Sequence, residues 1–245
     1  MKAAKFFKEY EVKSYETDCH GFLRLITLMN ILQDAADGSA TSLGLGFDDC
    51  AAKGVAWVGS NYLLKIKRLP KMHEKFVVET WPAEAKLWGA IRDFILRDEN
   101  GIELVRASSQ WVLIDVARKR PVSLSKHIPG YEALNERALD IEFGKAPEFT
   151  ESENEYVFKV RFDDIDINHH VNNAVYPLWA GESVSKEWRE NHIPQEIMLW
   201  YQKEALYGEQ VKVLTHTDGM RTQHSITNEI SGEELCRCEI LWRSI

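Results

Sequence analysis

In DIDINHHVNN, residues 164–173, two aspartates, three asparagines and two histidines fill seven of ten positions. A merely solvated loop draws its polarity from Lys, Glu, Gly or Ser, whereas amides and imidazoles dominate here. Such side chains donate and accept hydrogen bonds from fixed positions, and histidine also exchanges a proton near neutral pH. Hydrogen bonding and proton transfer are therefore the chemistry this segment suits. The adjacent His169 and His170 invite a metal reading as well. Neighbouring residues seldom point the same way, and no carboxylate or further histidine stands at convincing ligand spacing, so no metal is expected.

A helix must follow the polar segment to hold it. Val175, Leu178, Trp179, Glu182 and Lys186 form a short amphipathic stripe. Pro177 is tolerable only in a first turn, which places the helix start near Asn173 and makes Asn172 and Asn173 suitable caps. An earlier stretch follows the same plan. The strand-like YEVKSYE and a polar turn precede Leu25, Leu28, Met29, Leu32, Ala35, Ala36 and Leu43 at helical spacing, as YVFKVRF precedes the later helix.

The likeness continues downstream. GIELVRASSQW (101–111) and GEELCRCEILW (232–242) share Gly, Glu, Leu, Arg and Trp in register, and EKFVVET (74–80) parallels EQVKVLT (209–215). Each half thus reads as strand, helix and about four alternating strands, an α+β arrangement of an antiparallel sheet wrapped around a helix. The expected divisions are residues 1–127, a connector over 128–154, and residues 155–245, and the polar stretch SLSKHIPGYEALNERALDIEFGKAPEFTESENE (123–155) between the halves has room for a short helix.

The chain has 245 residues, 44% hydrophobic and 28% charged, the composition of a folded soluble protein. Its formal charge of −8 is concentrated between Tyr131 and Glu155, where eight acids face only Arg137 and Lys145. That acidity describes a connector and argues against nucleic acid as a partner. The basic run KIKRLPK (65–71) suits either an acidic protein partner or a solvated strand edge guarded by lysine. No apolar run approaches the roughly 20 residues of a membrane helix. The start, MKAAKFFKEY, lacks the apolar core and cleavage site of a signal peptide. Cys19, Cys50, Cys236 and Cys238 show no framework spacing, and reduced thiols in a cytoplasm are expected.

DIDINHHVNNAVYPLWAGESV resembles the signature of the acyl-ACP thioesterases. LWYQKEALYGEQV resembles the segment that follows it, and ASSQWVLIDVARKRPVSL the end of their first repeat. The resemblance implies a tandem, or double, hot-dog fold and hydrolysis of fatty acyl-acyl carrier protein (ACP). It places Asp166, Asn168 and His170 as catalytic residues of D-x-D-x-N-x-H-V-N-N, joined by Glu204 of YQKEA. Plant members carry a cysteine after that glutamate; Ala205 stands here, so a thiol nucleophile is not supported.

The chemistry fits these residue types. Backbone N–H groups around Val171 to Asn173, at a helix N-terminus, would face an oxyanion together with the Asn168 amide. His170 and Glu204 would hold and deprotonate water, with Asp166 orienting it. Direct attack by Asp166 or Glu204 through an anhydride is the rival step. Aligning the repeats puts Phe22 at the position of His170 and Leu69 at that of Glu204, so the first half would lack the chemistry and supply apolar volume. Leu28, Met29, Leu32, Trp57 and Val58 then line an acyl site or serve as ordinary core, with Asn172 and Asn173 nearer the thioester. A bacterial cytoplasmic enzyme, monomer or homodimer, needing no cofactor, is implied. A hot-dog acyl-CoA thioesterase and a non-catalytic acyl-binding protein are the alternatives.

Overall fold

A computed structural model describes residues 3–245, which divide into two units, the first ending at Phe143 and the second Gly144–Ile245. The first contains β1 (Phe6–Glu11), α1 (Leu25–Ser42), α2 (Phe47–Ala51), β2 (Val55–Ile66), β3 (Lys75–Lys86), β4 (Gly89–Asp98) and β5 (Glu103–Asp115). A two-residue β6 (Arg120–Pro121) and a single turn, α3 (Leu124–His127), complete it. Its antiparallel strands run in the order β1-β3-β4-β5-β2, with β6 paired to β5. The 18-residue α1 lies against β1 and β3. Leu28, Met29, Leu32, Ala35 and Ala36 form its buried stripe. Burial of each large apolar side chain contributes about 1.5–3 kcal/mol, so packing rather than helix propensity holds α1. Gly89 permits the close approach of β4 to β5, because a Cβ there would lie 1.8 Å from the Trp111 carbonyl oxygen.

The second unit contains β7 (Asn154–Lys159), α4 (Val175–Glu182), α5 (Lys186–Asn191), β8 (His192–Tyr201), β9 (Gln210–Asp218), β10 (Arg221–Asn228) and β11 (Glu234–Ser244). Its antiparallel order is β8-β11-β10-β9-β7. Pro177 is the third residue of α4, where no intrahelical partner is lost. The helix is shorter than its counterpart. Ser183 turns its hydroxyl back onto the Ala180 carbonyl (2.7 Å), and Ser185 then caps α5 by accepting the Trp188 N–H.

Matching hydrogen bonds define the repeat. The Leu23 N–H donates to Pro70 O (2.8 Å) and the Val171 N–H to Ala205 O (2.9 Å). Arg24 donates to Glu16 O as Asn172 does to Asp164 O, and Val12 to Glu74 O as Val160 does to Glu209 O. Phe22 is thus the counterpart of His170, and Leu69 of Glu204. The molecule is an α+β double hot-dog.

One sequence expectation needs correction. The first strand is Phe6–Glu11 rather than 10–16, because Ser14–Glu16 are drawn into a 3-10 turn closed by the Glu16 carboxylate on the Lys13 N–H. The short helix expected in the joining stretch is α3, and no helix follows over residues 131–153. There the backbone groups are used elsewhere. The Leu134 N–H donates to Pro82 O, the Ala138 N–H to the buried Asp93 carboxylate (2.6 Å), and the Glu136 carbonyl accepts the Trp81 indole N–H. Beyond residue 143 the chain packs on the second sheet instead, its Gly144 and Pro147 carbonyls accepting from Trp200 and Arg237.

Candidate active site

The polar segment is a tight turn whose side chains largely hold one another. Asp164 is buried and accepts both the Arg161 N–H (2.8 Å) and its guanidinium (2.7 Å). The Asp166 N–H donates to His170 O (2.8 Å), and the His169 N–H donates to Asp166 O (3.0 Å). This closure puts His169 in the left-handed region, at φ +64°. Both Asp166 carboxylate oxygens face Asn168, one accepting its backbone N–H (2.8 Å) and the other its amide (3.3 Å).

Glu204 arrives from the far end of β8. The N–H groups of Gln202 and Lys203 share the Leu235 carbonyl, the Ala205 carbonyl accepts from Val171, and the Leu206 N–H donates to the Glu209 carboxylate. Two stretches of chain more than 30 residues apart are thereby fastened side by side. The His170 Nε2 consequently lies 3.3 Å from Glu204 Oε2, with the two side chains 34% and 47% exposed. The four expected catalytic residues form two contacts, Asp166–Asn168 and His170–Glu204, connected through the backbone of the turn.

The expected row of oxyanion donors is narrower than the sequence suggests. The Val171 and Asn172 N–H groups are spent on Ala205 O and Asp164 O. Among the described residues, the N–H groups of His170 and Asn173 have no hydrogen-bond partner. Asn172 caps the helix approach by accepting the Ala174 N–H (2.9 Å), and the Asn173 carbonyl accepts the Tyr201 hydroxyl (2.8 Å).

Of the residues expected to meet an acyl chain, Val58 stands apart. Leu28, Met29 and Leu32 are buried on α1. Trp57 packs with Leu45, Cys50 and Leu113, its ring 6.1 Å from that of Tyr131. Val58 is 44% exposed, since strand alternation turns it to the face opposite Trp57. The basic run is largely paired. Arg68 makes a bidentate contact with Glu74 and reaches Asp98, Lys67 meets Glu103, and Lys71 lies over the Phe22 ring. Burial pushes the thiols of Cys50, Cys236 and Cys238 up, away from the reactive thiolate form. Among the described residues, no group of three or more His, Cys, Asp or Glu could hold a metal ion, and no helix is long and apolar enough to cross a membrane.

Tyr176 and Tyr201 escaped the sequence reading. Both lie beside the site, and their signal is a phenolic hydroxyl placed on an otherwise apolar face.

Comparison with known proteins follows the same two-part layout. The model of the acyl-ACP thioesterase N-terminal domain matches residues 3–130, and that of the C-terminal domain matches residues 148–244. The chain is 27% identical over 258 residues to the chloroplastic acyl-acyl-carrier-protein hydrolase FATB2 of Cuphea viscosissima. That match covers 97% of this chain but spans only 62% of the plant protein. An acyl-ACP thioesterase from Bacteroides thetaiotaomicron superposes with a TM-score of 0.88 at 20% identity, covering 98% of each chain. The 12:0-ACP thioesterase from Umbellularia californica gives 0.86 at 23% identity, again over 98% of each chain.

Proposed function

Because the chain belongs to the acyl-ACP thioesterase family, we propose that it hydrolyses fatty acyl-ACP to the free fatty acid and the carrier thiol. The observation that carries this reading is the 3.3 Å approach of His170 Nε2 to Glu204 Oε2 at a water-accessible position. Glu204 accepts a hydrogen bond from Nε2–H and so fixes the tautomer that leaves the Nδ1 lone pair for water. Nδ1 removes a proton as the water oxygen attacks the thioester carbonyl. The unspent N–H groups of His170 and Asn173, with the Asn168 amide, are the donors nearest in the chain for the resulting oxyanion. Collapse of the intermediate expels the thiolate, which takes the proton back from the imidazolium.

Asp166 acts by holding Asn168. Its occupied oxygens make direct carboxylate attack the weaker route. The acyl tail contributes about 0.8 kcal/mol per buried CH₂, and we keep Leu28, Met29, Leu32 and Trp57 as its proposed lining. Val58, on the other face of β2, is not retained.

Thiol release from an acyl-ACP series tests the assignment. His170→Ala and Glu204→Ala should each lose about 100- to 10,000-fold in rate. Full rate in either folded variant overturns the site. Equal turnover of CoA esters would shift the substrate to acyl-CoA, and acyl binding without thiol release would make the protein a carrier of lipid.

A further inference from the structure

Glu204 is the weak point of the proposed dyad, because a side chain 47% exposed takes little guidance from packing. Its placement depends on the backbone. The Tyr176 hydroxyl meets that backbone on both sides, accepting the Ala205 N–H (3.1 Å) and donating to the Lys203 carbonyl (3.4 Å). Tyr176 is the second residue of α4 and is 1% exposed, with its ring edge-on to Trp179 (5.3 Å) and Tyr201 (5.5 Å). A rigid, fully packed ring therefore presents one hydroxyl to the two peptide groups that bracket the carboxylate.

We infer that Tyr176 is a positioning residue, whose hydroxyl clamps the chain around Glu204 and so holds that carboxylate against His170. The inference rests on the dyad proposed above. The first half of the molecule supplies an internal control. By the matched hydrogen bonds, Leu28 is the counterpart of Tyr176, Pro70 of Ala205 and Leu69 of Glu204. Proline has no N–H to donate, and leucine no hydroxyl to receive it. Donor, acceptor and carboxylate are absent together. A residue needed only to fill the core is met there by Leu28, which is fully buried. The hydroxyl of Tyr176 thus accompanies the chemistry rather than the packing. Burial also pushes its phenol above the ordinary range, so it stays protonated and keeps both bonds.

The test is a double-mutant cycle on the full chain, with acyl-ACP as substrate. Tyr176→Phe keeps the ring and should lower kcat by about 10- to 100-fold, with KM changed by less than about twofold. In a Glu204→Ala background the same substitution should cost less than about twofold, because there is no carboxylate left to place. Ala205→Pro, which puts at this buried position the residue its counterpart Pro70 already is, removes the N–H half of the clamp and should reproduce the kcat loss, even if Tyr176→Phe fails to fold. Equal losses in both backgrounds would overturn the inference by showing a general packing effect. So would full kcat in both Tyr176→Phe and Ala205→Pro alongside a large loss in Glu204→Ala, which would leave the dyad standing. Full rate in Glu204→Ala alone would overturn the dyad and the clamp together.

Discussion

The turn at Asp18–Leu23 and the turn at Asp166–Val171 are built alike and equipped differently. In each, the aspartate N–H donates to the carbonyl four residues on, and the sixth residue donates across to the loop just beyond β2 or β8. The left-handed position is taken by Gly21 (φ +77°) in one and His169 (φ +64°) in the other. Yet one turn carries Phe22 and its partner stretch the buried Leu69, while the other turn sets His170 against Glu204. One further bond distinguishes them. Asp18 Oδ1 accepts the N–H groups of both His20 and Phe22, whereas Asp166 Oδ1 accepts that of Asn168 and leaves the His170 N–H unspent. Backbone architecture and chemistry are therefore separable, since the same closure serves a greasy turn and a polar one.

The strongest way to break this comparison is to convert the second turn into the first. His170→Phe/Glu204→Leu should lose about 100- to 10,000-fold in thiol release. It should lose no more than the worse single variant, because groups that act as a unit are not additive. Both positions are partly exposed, so the stability change should stay near or below about 1 kcal/mol, read as the shift in thermal midpoint. Multiplying losses would mean that the two side chains act separately.

The cores beneath the turns differ as well. In the first unit Phe94 sits opposite Thr80 in the β3–β4 ladder, fully buried. At the matching place in the second unit His224 sits opposite Thr215, also fully buried. Its Nδ1 lies 3.1 Å from Ser183 Oγ and 3.0 Å from Thr215 Oγ1, and its Nε2 lies 2.8 Å from Thr222 Oγ1. Thr222 also accepts the Trp242 indole N–H (2.8 Å). The same Ser183 ends α4, so the interrupted helix and the polar core are one feature.

Desolvation lowers the His224 pKa to about 3, and the ring is neutral in the folded protein. An unfolded histidine titrates near 6.5. Between those values the unfolded chain binds the extra proton, so stability falls with decreasing pH across that window. The slope from this group is about 1.4 kcal/mol per pH unit. Urea unfolding between pH 7 and pH 4 should show wild type losing stability faster than His224→Gln by that increment. Parallel curves would mean that the polar core carries no protonation cost and differs from Phe94 only in shape.

Local features were legible in the sequence because they depend on spacing. The α1 stripe, Pro177 in a first turn, the matched strands and the pairing of Phe22 with His170 each follow from a few neighbouring residues. What escaped depends on partners distant in the chain. The clamp joins Tyr176 to residues 203–205, and the His224 network joins a helix end to two strands. Neither has a local pattern. Val58 misled because apolar character alone does not say which face of β2 it takes.

The smallest expected effect sharpens the comparison most directly at His169. A left-handed backbone costs a residue with a side chain roughly 1–2 kcal/mol, and Gly21 meets the same demand at no steric cost. Glycine in turn gives the unfolded chain more freedom, which offsets about 0.4–1 kcal/mol of that relief. His169→Gly should therefore raise stability by no more than about 1 kcal/mol, while His169→Ala, which keeps a Cβ at φ +64°, should gain nothing. The side chain is exposed and its N–H bond to Asp166 survives in either variant. Thiol release should accordingly stay within about twofold of wild type. A tenfold or greater loss in both variants would place the second imidazole in the chemistry, and the difference between the two turns would then be three side chains rather than two.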